Sequence, residues 1–237
     1  VTKERSTGLG WDLTVDQSAA TLVGYNSQVH ANQGTGLGST INITSAAQYG
    51  TGIGYQVDVS GKNAVAIGSS GDTGTHTTAS ATDAVSIGTA TVASGEAATA
   101  IGKQAAASGS DAVSIGTSSK ATGSDSLALG KNANASNSDS IAIGQDSVAD
   151  SINGVALGKT SKATGSSATA LGPQSTASGT YSTAIGMNSV ANKEYAIAIG
   201  GSSQATVERG VALGTYSIAD TASGVSGYDA NTNRTNK

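Results

Sequence analysis

Apolar residues in this chain stand two apart and are closed by a glycine. Ala64-Val65-Ala66-Ile67-Gly68 returns as Ala84-Val85-Ser86-Ile87-Gly88. From Ile87 the Ile/Leu-Gly pair recurs at nine equal steps of 14 residues, through Ile101, Ile115, Leu129, Ile143, Leu157, Leu171, Ile185, Ile199 and Leu213. A worn form runs backward: Ile53 lies 14 before Ile67, Leu37 lies 16 before Ile53, and Val23 and Leu9 follow at further steps of 14. The step from Ile67 to Ile87 is 20, so about six residues are inserted within 69–80, a stretch of loop composition. The next step past Leu213 falls on Gly227, where the apolar residue is lost. The pattern therefore predicts one array over residues 1–227, degenerate over 1–49, followed by a polar linker over 228–237.

A period of 14 also fits two heptads, but the spacing inside each unit decides against a coiled coil. Val113 and Ile115, or Ile141 and Ile143, alternate as in a strand, and β-branched residues favour that conformation. A glycine at a fixed place in every unit is unfavourable in a helix. A second half-unit, such as Ser119-Lys120-Ala121-Thr122-Gly123, lies between the first ones. Each 14-residue coil thus holds two short strands and two turns, and the fold class is all-β. Stacking coils ~4.8 Å apart gives a two-sheet parallel solenoid, and about fifteen coils make a rod of roughly 70 Å. So small a coil has a thin lumen. Alternation points Ala128, Ala142 and Ala156 inward and the rows of Ile, Leu and Val outward, although the opposite assignment is also open. An apolar stripe of that length exceeds the few hundred Å² that a monomer exposes, so an obligate oligomer is expected.

Composition agrees with a thin body. Of 237 residues, 33 are glycine and one is proline; cysteine and phenylalanine are absent, aromatics are 3% and charged residues 12%. Large side chains for a thick core are lacking. Disulfides and thiolate metal sites are excluded, and no apolar run approaches the ~20 residues that cross a bilayer. A formal net charge of −4 argues against nucleic acid as a partner.

Candidate sites each admit two readings. Asp83, Asp111, Asp125, Asp139 and Asn153 lie four before the Ile/Leu, on successive coils or nearly so. They form either a cation ladder or a row of turn residues, and Asn63 and Asn153 favour the turn. Lys103, Lys131 and Lys159 follow the glycine in alternate coils. They read as a basic stripe for an acidic ligand, or as solubilising residues loosely paired with aspartates. Trp11, Tyr25 and Tyr55 occupy that same place in the worn coils, as a distal ligand contact or as caps on the apolar interior. His30 and His76 have no metal-ligand partners at suitable spacing. His76 falls beside Asp72 in the inserted loop, as a solvated loop residue or part of a protruding contact surface. No Gly-x-Ser-x-Gly motif supports a hydrolase, and no cofactor site is expected.

The units Lys62-Asn63-Ala64-Val65-Ala66-Ile67-Gly68 and Ser138-Asp139-Ser140-Ile141-Ala142-Ile143-Gly144 resemble the head repeat of YadA-like trimeric autotransporter adhesins. The resemblance covers residues 50–227 strongly and 7–49 weakly. It implies a left-handed parallel β-roll, a homotrimer, and display on the bacterial cell surface. It also implies adhesion to host extracellular matrix or cells, and no enzymatic activity. The trimer rows would then be Ile67, Ile87, Ile101, Ile115, Leu129, Ile143, Leu157, Leu171, Ile185, Ile199 and Leu213, with Trp11, Tyr25, Tyr55 and His76 as possible ligand contacts. The neck, stalk and membrane anchor usual in the family are not found in this sequence, nor is a signal peptide. Attachment to the outer membrane is therefore expected through segments outside it. A purely structural spacer or self-association module is the alternative. More remote is an ice- or crystal-binding solenoid, which needs a regular threonine ladder; hexapeptide acyltransferase solenoids have a different period.

Overall fold

The structure, a computed structural model, describes residues 3–70 and 75–221, and the backbone of 227–229 and 234–236. Within them the chain is a parallel β-solenoid with no helix. Each coil pairs with the next at an offset of 14 residues, as in Val113↔Leu127↔Ile141↔Val155 on one sheet and Lys120↔Asn134↔Val148 on the other. The offset is 16 at Thr35↔Thr51, and the inserted residues raise it to 20 at Val65↔Val85. Two coil types follow one another along the rod. The first four coils are single nine-residue strands: β1 (Thr7–Val15), β2 (Thr21–Val29), β3 (Thr35–Ile43) and β4 (Thr51–Val59). Two short strands per coil is therefore correct only beyond them. There β5 (Val65–Ser69), β6 (Thr77–Ala79) and β7 (Val85–Thr89) lead into pairs such as Ile141–Ile143 with Val148–Ala149. Beyond the solenoid, Gly227–Asp229 and Arg234–Asn236 pair as a small antiparallel ribbon.

The corners explain the period. From Ala97 to Tyr216, every seventh residue is left-handed, for example Asp139 (φ 57°), Asp146 (φ 56°) and Asn153 (φ 55°). A single left-handed residue reverses the chain, and Asn, Asp and small polar residues tolerate it better than others. Its N–H donates to the preceding coil: Asp139 to the Ser124 carbonyl at 3.0 Å, Asp146 to Lys131 at 2.9 Å. One of the two corners in each coil also has a glycine at φ near +130°. At Gly144 (φ 128°) an added Cβ would stand 2.6 Å from the Gly158 carbonyl oxygen, so only glycine lets the coils stack.

Burial settles which way the strands face. Ala128, Ala142, Ala156, Ala135, Ala149 and Ala163 are fully buried, and their Ile, Leu and Val neighbours stand outside. The lumen is filled by small side chains but is not wholly apolar. Ser147, Ser161, Ser175, Ser189 and Ser203 are buried, and each hydroxyl donates to the glycine carbonyl three residues back at 2.8–2.9 Å. A buried hydroxyl without a partner would cost roughly 1–3 kcal/mol; here the turn supplies one.

Candidate functional site

The first sheet presents a two-lane apolar face. Val113, Leu127, Ile141, Val155 and Ile197 form one lane beside Ile115, Leu129, Ile143, Leu157 and Ile199. Ile67, Ile87, Ile101, Ile115, Ile143 and Ile185 are half-buried by neighbouring coils. Leu129, Leu157, Leu171 and Ile199 are more open, and Leu213 in the last coil is 72% exposed. Threonine interrupts the first lane at Thr99, Thr169 and Thr183. The second sheet differs in chemistry. Its outward row reads Val92, Ala106, Lys120, Asn134, Val148, Lys162, and this irregular mixture lacks the threonine array that an ice plane requires.

The row of Asp83, Asp111, Asp125, Asp139 and Asn153 occupies the left-handed corner, each with φ between 55° and 59°. Asn63, in the same row at φ 57°, donates from Nδ2 to Asp83 Oδ1 at 2.9 Å. This is the geometry of the turn reading, and among the described residues no group of three or more His, Cys, Asp or Glu converges. Lys103, Lys131 and Lys159 are exposed, and among the described residues no ion pair joins them to an aspartate. Their expected loose pairing is thus not found among the described residues.

Trp11 and Tyr25 do come together. Their rings stack 5.1 Å apart at 13°, and Trp11 is 67% exposed. They are not caps on the interior, because Val15, Leu22 and Val29 fill it. Tyr55 is exposed on the same row, separated from Tyr25 by Ser39. Trp11 and Tyr25 immediately precede Asp12 and Asn26, which line a hollow of about 470 Å³ with Gln28, Asn42, Asp58 and His76. A second hollow of about 530 Å³, lined by Thr78, Val92 and Gln104, shares Asp58 and His76 with the first.

His76 is not a solvated loop residue. Its Nδ1 lies 2.5 Å from Asp58 Oδ2, with both side chains about one-third exposed. Asp72, its expected neighbour, lies outside the described residues. His30 is similarly held, 2.7 Å from Asp16 Oδ2 and 3.0 Å from Gln28 Oε1. His30 and Asp16 are 14 residues apart, so counting by the period would have found this pair. His76 is 18 residues from Asp58 and two positions off the register that pairs Asp58 with Thr78, so counting does not find the other.

A second aromatic column was also missed. Tyr181 and Tyr195 stack at 5.1 Å and 10°, and the Arg209 guanidinium lies over the Tyr195 ring at 5.6 Å. All three occupy the left-handed corner row at 14-residue steps, where the aspartates stand in earlier coils. The period alone places them together, since they stand 14 residues apart in one corner row.

A family model described as the YadA head domain repeat (2 copies) matches residues 79–105, 107–133, 135–161, 163–189 and 191–217. Each match spans two coils, and together they cover more than half of the chain. A search of curated proteins found no match.

Proposed function

The chain belongs to the YadA head domain family, and on that premise we propose that it is the adhesive rod of a trimeric bacterial surface adhesin. Three copies pack their apolar first-sheet faces about a common axis, and the remaining faces meet host matrix proteins or cells. The module is of a structural, adhesin kind rather than an enzyme. The observation that carries the reading is the two-lane apolar face. Its Ile/Leu lane runs unbroken in register from Ile87 to Leu213, and the face is too long for a lone chain to leave in water. Contacts along three copies add through effective concentration, so modest individual contacts suffice for firm attachment. Collagen, fibronectin and laminin are the candidate ligands. Localisation at the cell surface, held in the outer membrane by other segments, is part of the same proposal, as is the left hand of the roll.

Replacing Ile143 and Ile199 together by aspartate tests the assembly. Each chain would then bring two charges into the apolar contact, where an unpaired charge is strongly disfavoured. Light scattering on the purified double variant should give the monomer mass against a trimer for the parent. A variant that stays trimeric refutes this packing face. Binding of the parent to immobilised matrix proteins, with loss in the monomeric variant, tests the multivalent mechanism.

A spacer role has a specific observation behind it too. The second-sheet row from Ala106 to Gln204 is mixed in character, while the paired hollows reach no further than Gln104 and the Trp11–Tyr25 stack lies in the N-terminal coils. The reading that follows is a division of labour, with the matched coils holding up the N-terminal ones.

A further inference from the structure

We propose that the paired hollows on the second sheet of the N-terminal coils form one groove that takes a neutral, hydroxyl-rich oligosaccharide. The inference rests on the adhesive reading above and specifies the ligand class. Asp58 and His76 line both hollows, so their pair forms the ridge between them, and the groove runs along the rod from Asp12 to Gln104. Each hollow lies within the 300–1,000 Å³ that small-ligand sites occupy. An elongated track over several coils suits a chain of sugar rings better than one compact molecule.

Asn26, Asn42 and Gln104 bring amides, which donate and accept at once, and Asp12 brings a carboxylate that accepts. Adjacent sugar hydroxyls likewise donate and accept, and an amide or carboxylate can engage two of them together. Next to the groove, the stacked Trp11 and Tyr25 offer a flat surface suited to the apolar face of a pyranose ring.

Two features exclude the other occupants. Among the described residues neither hollow is lined by lysine or arginine, while Asp12 and Asp58 are present, so sulfated and sialylated chains would meet like charge. A peptide strand would need a free sheet edge for main-chain pairing. Here β2 (Thr21–Val29) and β3 (Thr35–Ile43) are hydrogen-bonded on both sides, to β1 and β3 and to β2 and β4.

The test uses the assembled protein on an array of immobilised neutral hexose and N-acetylhexosamine oligosaccharides, with sialylated and sulfated chains alongside. Neutral chains should be retained and the anionic ones not. Asn42→Ala and Trp11→Ala should each weaken retention at least tenfold, with Asn42→Asp as a second groove variant that keeps the side-chain volume. Tyr181→Ala, far along the rod, should change nothing. Thermal melting checks that the variants keep the fold. A blank neutral array, retention of anionic chains only, or binding indifferent to both groove variants overturns the proposal. Fibronectin and laminin before and after enzymatic removal of their glycans separate the two readings. Attachment that survives deglycosylation, with a blank array, leaves adhesion standing and the sugar groove refuted; no attachment in any arm removes both.

Discussion

The first four coils and the coils after Ala97 solve one geometric problem with opposite distributions of volume. Both are built on the 14-residue coil, with one step of 16 between Thr35 and Thr51, and share the same left-handed corners: Asp12 and Asn26 have φ of 55° and 47°, close to Asn132 and Asp146 at 55° and 56°. In the later coils the lumen is alanine and serine. In the first four it holds Val15, Leu22, Val29, Ile41, Ile43, Val57 and Val59, all essentially buried. The larger residues fit because their opposites shrink. Where Ile41 and Val57 enter from the second sheet, Gly36 and Gly52 stand on the first; where Leu22 enters from the first, Ser27 stands on the second. The corner hydrogen bonds change accordingly. In a later coil the Gly116 carbonyl accepts from the Ser119 hydroxyl at 2.9 Å. In the first coils the ladder continues further into the corner, with Gly10↔Gly24 and Trp11↔Tyr25 in register, and the interior Ser27 hydroxyl donates to the Tyr25 carbonyl at 2.8 Å and accepts from the Ile41 N–H at 3.0 Å. The backbone period is the constraint common to both regions, and lumen chemistry is free to vary within it.

The shared element should be the most sensitive to change. Gly24→Val and Gly144→Val, one in each region, put a β-branched side chain at φ +154° and +128° against the next coil's carbonyl oxygen, 1.6 and 2.6 Å from the new Cβ. Each should lose more than about 4 kcal/mol, seen as a collapse of the β signal in circular dichroism. If one region tolerates the change, the corners are not equivalent after all.

Lumen volume comes next. Leu22→Ala should cost about 2–5 kcal/mol, because Ser27 and Gly36 around it are too small to close the cavity. Ala142→Leu in the later coils should cost about 1–3 kcal/mol by overpacking. Both are read from thermal midpoints. A mild Leu22→Ala would mean that the N-terminal lumen collapses readily and is not organised by volume pairing.

These compensations mark what could and could not be read from sequence. The coil length, the strand alternation and the inward alanines follow from a one-dimensional pattern, because each is a local property repeated at a fixed step. The N-terminal coils looked worn because Gly36 and Gly52 replace the alanine of the consensus. The reason stands on the opposite wall, five residues further along the chain, in Ile41 and Val57. The groove was out of reach for a related reason. Trp11, Tyr25 and His76 are visible as unusual residues, but the hollow beside them depends on how six inserted residues place His76 against Asp58. The family match begins at residue 79, so the coils that depart most from the common repeat carry most of the groove, which enters the matched coils only at Ala90, Val92 and Gln104.

Pairing across the lumen can be measured directly. A Cβ added at Gly36 meets Leu22 Cδ1 at 2.7 Å, so Gly36→Ala alone should be destabilising. With Leu22→Ala already present the methyl enters vacated space, and the double variant should be more stable than the sum of the single changes by about 1–2 kcal/mol, within the range found for residues in contact. Zero coupling would break the volume-exchange account of the N-terminal coils.

The smallest effect separates serine that is needed from serine that is not. Ser161→Ala removes the hydroxyl that donates to the Gly158 carbonyl at 2.9 Å and should lower stability by about 1 kcal/mol. Ser182 is also fully buried, but its Oγ has no hydrogen-bond partner. Ser182→Ala should therefore be neutral or stabilising, since it removes an unsatisfied polar group and leaves an alanine like Ala168 and Ala196 at the same place in the neighbouring coils. Melting curves of the two variants beside the parent decide it. If both fall equally, the glycine-carbonyl bond is not what sets serine apart from alanine in the lumen, and the contrast between the two regions would have to rest on volume alone.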